Sequence, residues 1–356
     1  MEKLYHFIPN LEVGGAEKIL LNWVANDANI YHIIFTFNGG ELENLISNHA
    51  EVVYVNPLSF ILNIKEVSKE GHINLICWMY HASVMAILST LICRLNVNII
   101  CSLHHSAMNF NGLGLKSFIS NRFLKYLSHL GFVKIIYCGN DSMTRHTQIG
   151  YSKKNSYVVY NPLGLKKHQS TNLDFDSSQE SKLNLLFVGR WHYIKNIDGF
   201  LAFTKILSKF TNVEAIMIGK NLDSDNTELV NLMKKHELQS VVKLCGYKEN
   251  LAEYYNRANF LVISSISESY SVVACEAIVN GCPVISNRVG DIAYIVGDSG
   301  LILDFGDLAE LQRFSKLDLI RISLKLKKKI GSQGDALLCR HSFENFKKQI
   351  TKILVH

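Results

Sequence analysis

Two glutamates with seven residues between them, Glu268 and Glu276, lie where small polar residues lead into an apolar segment; residues 264–277 read SSISESYSVVACEA. We expect a helix to begin near Ser271, because backbone N–H groups at its N-terminus would then face an anion such as a diphosphate. Glu276, about one and a half turns into that helix, would accept hydrogen bonds from two neighbouring ribose hydroxyls. Glu268 would reach the hydroxyls of a sugar. The alternative is ordinary capping by Ser271, with both glutamates in solvent.

Two cations five positions apart, Arg190 and Lys195, follow an apolar run that ends at Val188. Gly189, just before them, permits a tight turn. A guanidinium binds phosphate oxygens bidentately, and the ammonium can converge on the same phosphate pair. The helix dipole disfavours cations at a helix start, so their position before the predicted helix 197–210 indicates a function. The alternative is a pair of surface cations.

Further candidates follow apolar runs in the first half of the chain. Gly14 and Gly15 follow the first run, where glycine lets the backbone approach a phosphate; a full G-x-G-x-x-G is absent, and a plain turn is the alternative. His104 and His105 follow a later run, where a histidine can hydrogen-bond a donor or acceptor hydroxyl. His81 follows another and is a candidate for the acceptor side. Loop histidines without a role are the alternative.

Short β-rich runs alternate with longer amphipathic segments, which is typical of α/β folds with parallel sheets. A polar stretch, 166–182, separates two such series. We therefore predict domains at 1–165 and 166–340, and a C-terminal helix within 341–356 that crosses back to the first domain. Ligands of open parallel sheets bind beyond the carboxyl ends of the strands. The predicted strands are 3–8, 31–37, 51–55, 73–78, 97–102, 134–138, 157–160, 183–188, 214–218, 241–245, 260–263 and 283–286.

The composition is that of a folded globular protein, since 48% of the 356 residues are apolar and 19% are charged. The formal net charge of +6 is modest, and the cations lack an interleaved aromatic platform, so we expect no nucleic-acid partner. Part of the excess positive charge lies within residues 116–154, where Asp141 is the single acidic residue among the cations. Those cations are Lys116, Arg122, Lys125, Lys134, Arg145, Lys153 and Lys154. They form either a solvated face or a surface that attracts anionic lipids.

Eight scattered cysteines include no C-x-x-C pair, which favours free thiols in a reducing compartment and no metal site. The N-terminal residues lack the apolar core of a signal peptide. The apolar stretch 73–93 is interrupted by Asn74 and His81, so we read it as a strand followed by a helix rather than a membrane span. The sequence thus indicates a cytoplasmic protein.

Taken together and in this order, the motifs resemble family 4 retaining glycosyltransferases of the GT-B fold, over most of the chain from Gly14 to about Asp307. The strongest part is the E-x(7)-E element of Glu268 and Glu276, followed by the runs NGCPVI, VGD and GLIL. The resemblance implies two Rossmann-like domains facing each other across a cleft, the first binding the acceptor and the second the donor.

The resemblance also implies roles by position. Arg190 and Lys195 would bind the donor diphosphate and stabilise its charge as the leaving group departs. Glu276 would hold the ribose, Glu268 would touch the transferred sugar, and His104 would match the cleft histidine of the first domain. Gly14, Gly15, Gly189, Ser269, Tyr270, Ser271 and Val272 would complete the donor site.

The implied substrates are a nucleotide sugar, with UDP-sugar favoured, and a polyprenyl- or lipid-linked glycan. Residues 78–82 and 104–106 are similar to a subgroup that builds bacterial surface polysaccharides such as O-antigen, capsule or lipopolysaccharide. That similarity and the basic stretch 116–154 place the protein at the inner face of the cytoplasmic membrane. The family needs no metal, and we expect no cofactor.

Three departures from the family pattern stand out. Ser269 and Ser271 replace common glycines, Asn161-Pro162 replaces Asn-Gly, and Gly219-Lys220-Asn221 keeps only part of the usual glycine-rich loop. Two other functions stay open: another GT-B reaction such as nucleotide-sugar epimerisation or phosphorolysis, and non-catalytic nucleotide-sugar binding.

Overall fold

The computed structural model describes residues 2–104, 114–165, 182–268 and 270–355. The chain divides into two compact units. The first consists of Met1–Gly164 together with Arg340–His356, and the second of Leu165–Cys339. Each is described by itself below.

The first unit contains a seven-stranded parallel sheet among its described residues, in the order β3-β2-β1-β4-β5-β6-β7. Its strands are β1 (Glu2–Ile8), β2 (Ile30–Thr36), β3 (Glu51–Tyr54), β4 (Ile73–Trp78), β5 (Val97–Leu103), β6 (Val133–Tyr137) and β7 (Ser156–Val158). Its helices up to residue 164 are α1 (Gly15–Asn26), α2 (Glu43–Ser47), α3 (Pro57–Val67), α4 (Tyr80–Cys93), α5 (Leu115–Leu127) and α6 (Asn140–Gln148).

The central strands of this sheet are continuous apolar runs because helices cover both of their faces. All five residues of β6 are buried, and so are the last five of β1. One core cluster centres on Phe7, Phe35 and Phe60, and a second contains Trp23 and Trp78.

The second unit contains a six-stranded parallel sheet among its described residues, in the order β10-β9-β8-β11-β12-β13. Its strands are β8 (Lys182–Val188), β9 (Asn212–Ile218), β10 (Val242–Leu244), β11 (Phe260–Ile263), β12 (Val284–Asn287) and β13 (Gly300–Leu303). Its helices are α7 (Ile197–Ser208), α8 (Thr227–Lys235), α9 (Ala252–Arg257), α10 (Val272–Val279), α11 (Ile292–Val296), α12 (Leu308–Phe314), α13 (Leu319–Lys327) and α14 (Ile330–Arg340). Phe200, Phe203 and Phe260 are fully buried in its core.

The last helix, α15 (Phe343–Val355), packs on the first unit although the whole second unit precedes it in the chain. Its apolar residues Phe346, Ile350 and Ile353 join the core cluster of Trp23. The Trp23 and Phe346 rings meet edge to face at a centroid distance of 4.8 Å. Buried Lys134 on β6 donates from Nζ to the Ile353 carbonyl at 2.7 Å and so satisfies the C-terminal end of the helix.

The apolar stretch 73–93 forms β4 and α4, as the sequence predicts. Within the described ranges, no helix combines the length and apolar character that crossing a bilayer requires. Lys134, which the sequence analysis counts in the basic stretch, is buried and therefore contributes nothing to a surface.

Close backbone packing joins the loops after β8 and β9. Gly189 N–H donates to the Ile218 carbonyl, and Trp191 N–H donates to the Lys220 carbonyl, both at 3.0 Å. Gly219 has φ of +151°, and a β-carbon there would lie 1.8 Å from the Gly189 carbonyl oxygen. Only glycine fits this position, so it fixes the start of the loop that carries Arg190 and Lys195.

We predict that Gly219→Ala destabilises the second unit by about 3 kcal/mol, because it adds both backbone strain and a backbone clash. Urea unfolding of the intact chain measures the change. Gly189→Ala is the matched control, since its β-carbon would meet side-chain atoms of Lys195 and Phe187 only at an ordinary 3.5 Å. Equal stability of the two variants would contradict the packing argument.

Candidate functional site

The strand order of the second unit reverses between β8 and β11, which are neighbours in the sheet. From β8 the chain proceeds outward to β9 and β10, and from β11 it proceeds the other way. The loops that leave these two strands therefore diverge at one edge and leave a crevice, the usual ligand position in such sheets. The sequence places Arg190 and Lys195 on one loop and Glu268 on the other.

Side-chain and backbone hydrogen bonds join these two loops. Ser264 Oγ donates to the Lys195 and Asn196 carbonyls at 3.0 and 2.9 Å. Asn196 Nδ2 donates to the Ser264 carbonyl at 3.1 Å. Ile266 N–H donates to the Ile194 carbonyl at 2.9 Å. Asn196 adopts a left-handed conformation at φ of +49° and caps α7, which asparagine tolerates better than most residues.

This junction places Lys195 opposite Glu268. The Lys195 Nζ lies 2.7 Å from Glu268 Oε1, and both side chains are largely withdrawn from solvent. Ser265 Oγ donates to the same carboxylate oxygen at 2.8 Å. The pair therefore holds an ammonium and a carboxylate side by side, where one can bind an anion and the other a hydroxyl group.

Arg190 is exposed at the start of the same loop, and His192 lies between the two cations in sequence. Burial, and then the charges of Arg190 and Lys195, lower the pKa of His192 below its ordinary value. Both cations are thus close enough to act on one imidazole. A site with two such charges favours an anionic ligand.

Helix α10 begins at Val272, one residue after the position that the sequence predicts. Ser271 is buried at its N-cap, yet the capping hydrogen bond of the alternative interpretation is not made: within the described residues, Ser271 Oγ has no hydrogen-bond partner. Tyr270 is also buried. Ser269 lies outside the described residues. The side chain of Ser271 therefore does not cap α10.

Glu276 lies on α10 and accepts a hydrogen bond at Oε2 from the hydroxyl of Tyr255, at 3.0 Å. Tyr255 is buried at the end of α9. Burial first, and then the charge and hydrogen bond of Glu276, raise the pKa of Tyr255, so it stays a neutral donor. The structure thus fixes one oxygen of Glu276 and leaves the carboxylate half-buried.

In the first unit, the strand order reverses between β1 and β4. Gly14 precedes α1 on the loop after β1, and a β-carbon there would come within 2.2 Å of Glu17 Oε2. A β-carbon at Gly15 would meet none of the described atoms within 4 Å, so space lies beside its backbone. Burial raises the pKa of Glu17, whose side chain folds against this turn.

His81 and His104 follow β4 and β5, which are neighbours in this sheet. His104 stacks on Trp78 with a centroid distance of 5.3 Å and an interplanar angle of 8°. His104 Nε2 and Ser102 Oγ are 2.9 Å apart. Burial, and then the charge of Lys116, lower the pKa of His81. His105 lies outside the described residues.

Trp78 also ends a buried chain of hydrogen bonds. Its Nε1–H donates to His6 Nδ1 at 3.4 Å, which leaves the His6 proton on Nε2 to donate to His32 Nδ1 at 3.0 Å. His32 Nε2 then faces Asp27 at 4.0 Å, and Asp27 accepts from Lys347 of α15 at 2.6 Å. The directions agree only when both histidines are neutral. Burial, the largest cause, lowers the pKa of His32 to about 4 and that of His6 well below its ordinary value.

The second unit is similar to a known protein family. Residues 182–314 match the family model described as Glycosyl transferases group 1. The structure superposes on Anabaena Alr3699/HepE in complex with UDP with a TM-score of 0.81 at 18% identity, over 100% of both chains. The chain has the GT-B fold.

Two curated relatives agree with that assignment. The amylovoran biosynthesis glycosyltransferase AmsD of Erwinia amylovora is 23% identical over 82% of both chains. An uncharacterised protein in the cps region of Klebsiella pneumoniae is 31% identical over 44% of both chains, so the present chain spans less than half of its length. Together with the family match, they support a glycosyltransferase. The predicted GT-B fold class is confirmed.

Two residues of the GT-B units escaped the sequence analysis. Tyr255 donates to Glu276, and His6 connects Trp78 to the buried chain. No spacing to the motif residues marks them, because the fold alone brings them into contact. Among the described residues, no three His, Cys, Asp or Glu side chains are grouped as metal ligands would be.

We predict that the first unit loses about 2 kcal/mol of stability through His32 alone between pH 7 and pH 5. In the unfolded chain His32 gains a proton below its ordinary pKa of 6.5, whereas in the folded unit it stays neutral down to about pH 4. The stabilisation is therefore complete above pH 6.5 and falls as the pH drops toward 4.

Urea unfolding of a Trp191→Phe chain tests this, since Trp23 and Trp78 then report on the first unit. His32→Gln in that background keeps a polar side chain but removes the titration, so its stability should fall less between the two pH values. The same fall in both proteins would refute the role of His32.

Proposed function

We propose that the chain is a family 4 retaining glycosyltransferase. It transfers a hexose or N-acetylhexosamine from a nucleotide sugar, with UDP as the favoured carrier, to a sugar hydroxyl of a lipid-linked oligosaccharide. The observation that carries the proposal is the Lys195–Glu268 pair beside Arg190, at the crevice of the unit that matches Glycosyl transferases group 1.

Arg190 and Lys195 bind the donor diphosphate in this proposal. As the bond between the anomeric carbon and the diphosphate oxygen breaks, negative charge develops on that oxygen, and the two cations stabilise it without a metal ion. Lys195 starts from its ion pair with Glu268, so binding of the diphosphate provides a second partner for the ammonium. Glu268 is then positioned to accept a hydrogen bond from a hydroxyl of the sugar.

The rest of the donor lies along α10. Phosphate oxygens accept hydrogen bonds from N–H groups at its N-terminus and from the buried Ser271 hydroxyl, which has no partner among the described residues. Glu276 binds two ribose hydroxyls, with Tyr255 holding its other oxygen. The acceptor oxygen bonds to the face that the diphosphate leaves, and the leaving phosphate takes the acceptor proton.

The support for these substrates comes from the proteins that the chain is similar to. HepE was crystallised with UDP, AmsD is named for amylovoran biosynthesis, and the Klebsiella protein lies in a cps region. We extend from these a UDP-sugar donor and a role in bacterial surface polysaccharide synthesis. His104, with His81 beside it on the neighbouring strand end, serves the acceptor and donor sugar from the first unit, at the inner face of the cytoplasmic membrane.

A thermal-shift screen with UDP, GDP, ADP and their sugar conjugates tests the donor site. A ligand that binds only the folded state raises the melting temperature by mass action. We expect UDP at a hundred times its Kd to add about 2.7 kcal/mol of stability. The shift should disappear in Lys195→Ala and shrink in Arg190→Ala, while Lys205→Ala, a surface lysine on α7, keeps it.

Turnover separates the remaining alternatives. Incubation with UDP-sugar and a lipid-linked acceptor should yield a glycosylated product that Lys195→Ala forms at least a hundredfold more slowly, as for loss of one charge-stabilising group (about 2.7 kcal/mol or more). Conversion of the nucleotide sugar to its epimer without transfer would replace the proposal with an epimerase. Nucleotide binding without any product would favour a binding protein.

We predict that Tyr255→Phe weakens UDP binding up to about tenfold, because Glu276 loses the hydrogen bond that orients its carboxylate toward the ribose. Isothermal titration with UDP measures it. Tyr254→Phe, one residue away on the same helix, is the matched control and should bind as the wild type does. UDP affinity that is unchanged in Tyr255→Phe would contradict the role of Tyr255 in positioning Glu276.

A further inference from the structure

Helix α5 (Leu115–Leu127) exposes an apolar stripe. Leu115, Ile119, Phe123 and Tyr126 recur at the three- and four-residue spacing of one helix face. Their exposed fractions are 58, 57, 44 and 67%. The opposite face, with Asn121 and Leu124, is buried. This helix thus buries one side in the first unit and turns a second apolar side outward.

Cations border the stripe on both sides. At 100° per residue, Lys116 follows one edge of the stripe and Arg122 the other, with Lys125 beyond Arg122. The sequence of α5 contains no acidic residue. Lys125 Nζ lies 4.6 Å from the centroid of the Tyr126 ring, so its charge is held against the stripe.

An exposed apolar stripe of this kind is typical of a contact surface rather than of solvent-exposed helix. The flanking charges indicate which contact. A helix with aromatic and aliphatic residues between lysines and arginines matches the boundary of an anionic bilayer, where the apolar side chains enter the acyl region and the cations remain at the phosphate groups. A second copy of α5 would instead bring like charges together.

The position of α5 connects this surface to the acceptor side of the first unit. The charge of Lys116, in the first turn of α5, acts on His81 in the first turn of α4. The two helices pack against each other. The stripe therefore begins next to one of the histidines assigned to the acceptor, where a glycan carried on a membrane lipid would arrive.

We propose that the stripe of α5 is a membrane-docking surface that inserts into an anionic lipid leaflet, with Lys116, Arg122 and Lys125 bound to lipid phosphates. The proposal rests on the proposed function, which it deepens by naming the surface that contacts the membrane. It assigns docking to apolar insertion together with charge, rather than to the whole basic stretch 116–154.

Co-sedimentation of the full chain with vesicles tests it. We expect binding to vesicles of phosphatidylcholine and phosphatidylglycerol, and at least tenfold weaker binding to phosphatidylcholine alone. Ile119→Ser with Phe123→Ser should reduce binding to the anionic vesicles about tenfold or more through lost apolar burial. Lys116→Gln with Arg122→Gln should do so about tenfold through lost charge.

The matched control is Leu58→Ser with Leu62→Ser. These side chains are exposed to 69 and 58% on α3 of the same unit and have the same four-residue spacing. The control should bind vesicles as the wild type does. An equal loss in both double variants, or anionic-vesicle binding that survives Ile119→Ser with Phe123→Ser, overturns the proposal. So does a dimer in analytical ultracentrifugation that this variant dissociates, because the stripe would then face a second copy.

UDP binding keeps this test separate from the proposed function. The α5 variants should keep the wild-type thermal shift with UDP, because they change none of the residues assigned to the donor, and Arg190, Lys195 and Glu276 lie in the other unit. A wild-type chain that binds UDP but no vesicles would refute the docking surface alone. Vesicle binding without any response to nucleotides would refute the donor site and leave the surface in place.

Discussion

The hydrogen bonds between the loops after β8 and β11 support the candidate donor site. Ser264 and Asn196 each bond to the backbone of the opposite loop, so neither loop can move without breaking contacts to the other. This junction sets the short distance between the Lys195 ammonium and the Glu268 carboxylate. Gly219, on the loop after β9, adds a further constraint, because the absence of a β-carbon lets the Gly189 carbonyl lie against its backbone. The chemistry of the site thus depends on small residues that carry no charge themselves.

Most of the sheets could be predicted from the sequence, because strands buried on both faces appear as uninterrupted apolar runs. Strands β1, β4 and β11 lie where their runs indicate. Strand β13 (Gly300–Leu303) was not predicted as a strand, because GLIL is too short to show periodicity and begins with glycine. These four residues form a strand because they pair with β12, and that contact is not visible in so short a sequence.

The candidate site shows a different limit. Lys195 and Glu268 are 73 residues apart, yet the sequence could nominate both, because each follows an apolar strand at the same sheet edge. Tyr255 could not be nominated, since its position on α9 gives no sign that its hydroxyl reaches Glu276. The exposed stripe of α5 could not be predicted from the sequence either, for another reason. Its apolar residues have ordinary amphipathic spacing, and only the packing shows that they lie on the outer face.

The return of α15 to the first unit has a consequence for the order in which the protein folds. The second unit is one continuous segment, so it can fold as soon as it has been synthesised. The first unit waits for Phe346, Ile350 and Ile353, which emerge from the ribosome only after the entire second unit. Until then the Trp23 side of its core is open and Asp27 lacks Lys347. The first unit is therefore the first to be synthesised and the last to complete its core. In the interval it exposes an apolar surface to which chaperones can bind.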